Sequence, residues 1–252
     1  MTAWGNEIAL VTGAAGSIGG AIADHLAALG ARVAASDARA VSIAHRFAQV
    51  DVTQSDQVDA WVCSVQSNWG PPTIGVICAG KVTAGRLLDQ TDADWHSTMA
   101  VNLDGAFFTA RAIIRAMVAA GRGGRIVLVG SWAAHAPHPH IGNYSVTKAG
   151  LRMLGRTLAL DHAADGILVN EVAPGIVDAG LSRDLFRADP ALAARTRAAI
   201  PTRDLIQAED VARDVAFLAS PDNRNTTGAV LVSDGGLSLA STMNPGRQKS
   251  AS

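Results

Sequence analysis

A chain of 252 residues that is 48% hydrophobic and 17% charged is too apolar for a disordered polymer, and its 25 glycines follow no three-residue period that would make it collagen-like. With 21 basic and 22 acidic residues the formal charge is −1, so no global field draws the chain to nucleic acid or to an anionic membrane surface. The length suits one large domain or two small ones and is enough to bury a sizeable core, and a small, locally recognised ligand is the partner that remains.

In chain order, short apolar β-prone runs alternate with stretches of helical period. Strands are predicted at Glu7 to Thr12, Arg32 to Asp37, Phe47 to Val50, Ile74 to Cys78, Arg125 to Ser131, Ile167 to Val172 and Val230 to Val232. After the first, Ile18, Ile22, Leu26 and Leu29 mark one helix face, which Gly30 terminates. A later helix is predicted over about Asp92 to Ala120 with a break near Asn102 to Gly105, and another from Tyr144 to about Ala164. Leu181 to Ile200 interrupts the alternation with a charged, Ala-rich helical stretch, read as a lid over a site (residues about 178–202). Runs that are apolar throughout are buried on both faces, so the prediction is an α/β fold: a single-domain, doubly wound parallel sheet of about seven strands flanked by helices over residues 1–242. The polar residues 243–252 form a C-terminal tail. Cys63 and Cys78 lack metal-ligand spacing and are expected to be buried, reduced thiols. Residues 1–6 lack a leader pattern and no uncharged run reaches the roughly 18 to 20 residues that span a bilayer, so a cytoplasmic location is expected.

The first strand runs into Thr12-Gly13-Ala14-Ala15-Gly16-Ser17-Ile18-Gly19 and then directly into a helix. Three glycines at a β-to-α turn let a backbone approach a pyrophosphate without side-chain clash, and the first N–H groups of the helix offer donors and positive dipole to its oxygens. Gly13, Ser17, Ile18 and Gly19 are therefore read as dinucleotide-binding. Asp37 closes the second strand, where a carboxylate accepts from the adenosine ribose hydroxyls and repels a 2′-phosphate. Neither Ala15 nor Ala38 supplies a cation for that phosphate, though Arg39 lies two residues past the acid, and the expected cofactor is NAD. Two roles are open to Asp51, acceptor from the adenine amino group with Val52 beside it, or helix N-cap, a role Thr53 could also fill.

The glycine-rich turn, Ser131 and Tyr144-x-x-x-Lys148 together resemble the short-chain dehydrogenase/reductase family, in order and spacing and over nearly the whole chain. That resemblance implies a single Rossmann-type domain with seven parallel strands. Tyr144 and Lys148, at i and i+4, project from one helix face. A phenol with a pKa near ~10 is a poor base at neutral pH, and lowering it by about three units takes roughly 4 kcal/mol of preferential phenolate stabilisation. The Lys148 ammonium and an oxidised nicotinamide ring are sources of it. Tyr144 is then the acid/base, Ser131 orients the substrate oxygen, and Lys148 also holds the nicotinamide ribose. By resemblance, Asn102 supports a water-mediated proton relay through the lysine, Ala79 and Gly80 lie near the adenine ribose, and Pro174, Gly175 and the Val177 backbone face the nicotinamide. Two positions depart from the family pattern: Ala179 stands where a threonine is usual, and Ile77-Cys78 replaces two asparagines that brace the sheet.

Three imidazoles, His135, His138 and His140, stand between Ser131 and Tyr144. Alternating prolines prevent a regular helix there and no Cys or carboxylate joins them, so no metal site is expected. They are candidates for contacts to a polar substrate, alongside Ser131 and Tyr144, or else form a solvated or subunit-facing loop. Only 13 residues separate Asp37 from Asp51, a shortening shared by family members that act on small polyols, sugars and cyclic dihydrodiols. The resulting expectation is an NAD-dependent dehydrogenase of a secondary alcohol, such as a polyol, sugar or cyclic diol, assembled as a homotetramer. The alternatives are an NADPH-dependent carbonyl or 3-oxoacyl reductase and, from another class, a non-catalytic dinucleotide-binding sensor.

Overall fold

Why the apolar runs become strands and the periodic runs helices is visible in the layering of the computed structural model, which describes residues 4–240. Seven parallel strands, β1 (Ile8–Thr12), β2 (Arg32–Asp37), β3 (Arg46–Gln49), β4 (Ile74–Ile77), β5 (Gly124–Val129), β6 (Ile167–Pro174) and β7 (Val230–Ser233), form one sheet in the order β3-β2-β1-β4-β5-β6-β7. All residues of β1, β4 and β6 are buried, as runs covered on both faces must be, whereas the edge strands β3 and β7 are partly open. On one face Ile22 and Leu26 of α1 (Ser17–Ala28) pack with Val211 and Val215 of α8 (Ala208–Ala219) against Ala9, Val11 and Val127. On the other, α2 (Ser55–Trp69), α4 (Gly105–Ala119) and α5 (Gly142–His162) cover Leu10, Ile126 and Leu128. The strand order reverses between β1 and β4, and the crevice at their carboxyl ends is where such sheets take ligands.

Several boundaries differ from the sequence expectation. Gly30 ends α1 with φ +108, as expected. The break predicted near Asn102 is instead one widened π-helical turn, Ala100–Asp104, joining α3 (Asp92–Met99) to α4 without interruption. Directly after that turn Gly105 lies against Val52, where a Cβ would come within 3.1 Å of the valine Cβ. The predicted lid is two helices, α6 (Gly180–Ala188) and α7 (Pro190–Ala199), because Pro190 restarts the chain and the Asp189 side chain accepts from the Leu192 N–H at 2.9 Å. The last helical residues described form α9 (Leu237–Ala240), and the predicted tail 243–252 lies outside the described residues. Cys63 is exposed rather than buried, since α2 turns Val58, Trp61, Val62 and Val65 inward and leaves position 63 on the outer side. Among the described residues no helix is long and apolar enough to cross a membrane.

Candidate active site

A cavity of about 480 Å³ opens at the carboxyl ends of the strands. Its first wall is the β1–α1 turn, which contributes Gly13, Gly16, Ser17, Ile18 and Gly19. Gly13 adopts φ +73, and a Cβ there would lie 2.8 Å from Ala79 Cα, so the turn can sit against β4 only as glycine. The helix it opens has Gly16 as N-cap and no side-chain cap, so no side chain competes for the first N–H donors of α1, at the residues that line the cavity. Thr12 Oγ1 accepts from the N–H groups of Cys78 and Ala79 at 3.1 and 3.2 Å, one hydroxyl holding β1 to the β4 end beside the position where the family's asparagines are missing. Asp37 lies at the end of β2 with its side chain only 11% exposed. Its Oδ2 accepts from the Ala15 N–H at 3.1 Å, and its Oδ1 accepts from the Arg39 N–H and Nε at 3.0 and 3.3 Å. Uncapped donors, a glycine-rich turn and a wall carboxylate fit an adenine dinucleotide.

The opposite wall carries two hydroxyls and an ammonium group. Ser131, Tyr144 and Lys148 all line the cavity with Ala79, Gly80, Pro174, Gly175 and Val177. Lys148 is buried and its Nζ donates to the Val129 carbonyl at 2.7 Å, lying 5.5 Å from the centre of the Tyr144 ring. Ser131 Oγ accepts from the Ala133 N–H at 3.1 Å, which aims the serine at the start of a tight turn. Asn102 lies behind the lining on the widened turn, fully buried, and ties three segments together. Its Oδ1 accepts from the Lys81 N–H at 2.7 Å, and its Nδ2 donates to the Lys81 carbonyl at 2.9 Å and to Thr147 Oγ1 at 3.0 Å. Gly175 lies close against the chain just past β7, where a Cβ would fall 2.8 Å from Asp234 Cα. The Asp234 carboxylate accepts from Gly236 and Ser238 N–H groups; burial works to raise its pKa, but those hydrogen bonds hold it below the usual carboxylate range.

Other predicted residues fall elsewhere. Asp51 and Val52 line the cavity, but Asp51 Oδ1 accepts from the N–H and hydroxyl of Thr53 at 2.9 and 2.8 Å, and the N-cap of α2 is Gln54 rather than Asp51 or Thr53. None of the three imidazoles lines the cavity. His138 bonds the Pro139 carbonyl at 2.8 Å and meets the Trp132 ring edge-on, while the His140 carbonyl accepts from Gly85 N–H at 2.7 Å. His135 is held below the ordinary histidine pKa, first by burial and then by the Arg152 guanidinium. Burial pushes the Cys78 thiol up to about 11, so it stays protonated on the lining at neutral pH. Among the described residues no group of three or more His, Cys, Asp or Glu is placed to hold a metal.

Sequence reasoning missed Arg152 and Glu171. Arg152 donates from Nε and Nη2 to the two carboxylate oxygens of Glu171, both at 2.9 Å. Two signals were present: Arg152 follows Lys148 by one helical turn, and Glu171 is the one charged residue of a fully buried strand.

A family model described as enoyl-(acyl carrier protein) reductase matches residues 13–238. Over 248 residues the chain is 34% identical to the 3-oxoacyl-(acyl-carrier-protein) reductase of Pseudomonas aeruginosa, covering 93% of this chain and 98% of that one. It is 33% identical to the (3R)-3-hydroxyacyl-CoA dehydrogenase of Mus musculus, covering 92% and 96%. A solved structure of a putative 2-deoxy-D-gluconate 3-dehydrogenase from Agrobacterium tumefaciens with bound NADP superposes with a TM-score of 0.84 at 30% identity, covering 94% and 99%. The fold and these matches define an oxidoreductase. The chain belongs to the short-chain dehydrogenase/reductase family.

Proposed function

We propose that the protein interconverts a ketone and a secondary alcohol, with a 3-oxoacyl or 3-hydroxyacyl thioester as the substrate class and NAD(H) as the dinucleotide. The observation that carries the reaction is one cavity joining the uncapped start of α1 to Ser131, Tyr144 and Lys148. When bound, the dinucleotide supplies the hydride donor or acceptor. This chain does the rest: the Tyr144 hydroxyl exchanges a proton with the substrate oxygen, and the Ser131 hydroxyl orients that oxygen. The Lys148 ammonium stabilises the phenolate form, and Asn102 fixes the segments around it. The intact set favours turnover over a sensor role.

For the substrate, the names of the two curated relatives favour an acyl thioester over the polyol or sugar expected from the short segment between β2 and β3. A sugar remains a second reading on the strength of the gluconate dehydrogenase likeness. For the cofactor, the partly buried Asp37 carboxylate supports NAD(H) against the NADP of that neighbour. Phe107, Val146, Met153 and Leu160, all exposed on α4 and α5, support a homo-oligomer. The test is titration of the protein with NADH and NADPH, followed by acetoacetyl-CoA reduction read as loss of reduced cofactor. Tighter NADH binding with turnover is expected, and an NADPH preference or no turnover of the thioester overturns the corresponding part. Tyr144→Phe is expected to lower turnover by at least about 10²-fold while leaving NADH affinity within about twofold.

A further inference from the structure

Tyr144, Lys148 and Arg152 follow one another at four-residue intervals on α5 and so share one face. Lys148 Nζ donates to the Val129 carbonyl at 2.7 Å, and Arg152 Nη2 reaches the Ser131 carbonyl at 3.4 Å. Two cations on successive turns of one helix thus bond to carbonyls two residues apart where β5 runs out into the site. Arg152 is itself held by its fork onto Glu171 of β6, with side chains 10% and 3% exposed. Between the two carbonyls stands Gly130, where a Cβ would come within 2.6 Å of Glu171 Cδ, so the carboxylate occupies the room a side chain would take.

A buried ion pair is a poor way to fill space. Desolvating both charges is expensive, and two apolar side chains of similar volume commonly serve stability as well or better. What an apolar pair cannot supply is direction: a guanidinium fork fixes α5 against β6 along two parallel bonds and leaves an N–H for the Ser131 carbonyl.

We propose that Arg152 and Glu171 are positioning residues for the reaction: their ion pair sets the register of α5 on the ends of β5 and β6, and with it the placement of the Tyr144 phenol relative to the Ser131 hydroxyl. The proposal rests on the oxidoreductase reading of the site. It is testable apart from that reading because Tyr144 is the single tyrosine of the chain, so one ¹³Cζ-tyrosine resonance reports on the phenol alone.

The first variant is the double substitution Arg152→Met/Glu171→Leu, which removes the pair without leaving a lone buried charge. Thermal stability is expected to stay within a few degrees of the parent, while the ¹³Cζ resonance of the free protein moves and kcat for acetoacetyl-CoA with NADH falls at least about tenfold, the KM for NADH changing less than about twofold. A double variant that is stable and keeps the parent resonance, or keeps the parent kcat, overturns the proposal. Should the double variant fail to fold, Arg152→Lys decides with the same readouts, since it keeps the charge but not the fork: a displaced resonance with a lower kcat supports positioning, and an unmoved resonance or unchanged kcat sinks it. If the parent itself turns over no thioester, the functional reading fails while the resonance still decides the positioning role.

Discussion

Asp37 has both carboxylate oxygens engaged, one by the glycine-turn N–H of Ala15 and the other by Arg39, so it is held at the cavity wall before any ribose arrives. A 2′-phosphate entering there would meet a fixed negative charge. Asp37→Ser removes it and leaves the exposed Arg39 guanidinium free to pair with the phosphate. The ratio of NADPH to NADH affinity is expected to rise by about tenfold or more, equivalent to ~1.4 kcal/mol, in paired fluorescence titrations. At this scale the sequence was legible where chemistry needs fixed local spacing, as with Tyr144 and Lys148. It was illegible where the partner is chosen by tertiary contact: nothing along the chain announces that Asn102 will bond Lys81 and Thr147, and the signals that mark Arg152 and Glu171 singly do not pair them. For the three histidines, exposed and off the cavity lining, composition alone did not separate a substrate contact from a solvated or subunit-facing loop.

Elements were legible through burial. Strands covered on both faces announce themselves as apolar runs, whereas the widened turn at Ala100–Asp104 adds one residue to a helix without changing its composition, and periodicity cannot separate that from a break. The close seat of α5 on β5 was equally invisible. A Cβ at Gly155 would lie 2.6 Å from Leu128 Cδ1 in the core, so the glycine lets α5 lie close on β5. At the start of α3, Asp94 and Thr91 form a reciprocal cap. The Thr91 hydroxyl and N–H donate to the Asp94 carboxylate and hold its pKa below the ordinary carboxyl value. A carboxyl depressed in the folded state adds stability that is present above its unfolded pKa, about 3.9, and is lost as pH falls through the lower folded value. The melting temperature of Asp94→Asn is therefore expected to fall less steeply than the parent's as pH drops below about 4.

For the whole molecule, the sequence conveyed the doubly wound sheet and the position of its crevice, because alternation of strand and helix fixes both. Substrate class is not written in that alternation, and the expectation drawn from one short connection stands beside the acyl-thioester reading proposed above. Oligomeric state belongs to this scale too: Met153 and Leu160, 60% and 81% exposed on α5, are expected to be covered in a homo-oligomer, so Met153→Asp should shift sedimentation toward smaller species at micromolar concentration. Gly130 carries a historical consequence. With Glu171 in place, any side chain at 130 collides with the carboxylate, and with Arg152 in place, losing that carboxylate strands a buried cation. The three positions form a ratchet: a lineage holding this trio can leave it only by passing through less stable intermediates or by changing several codons together.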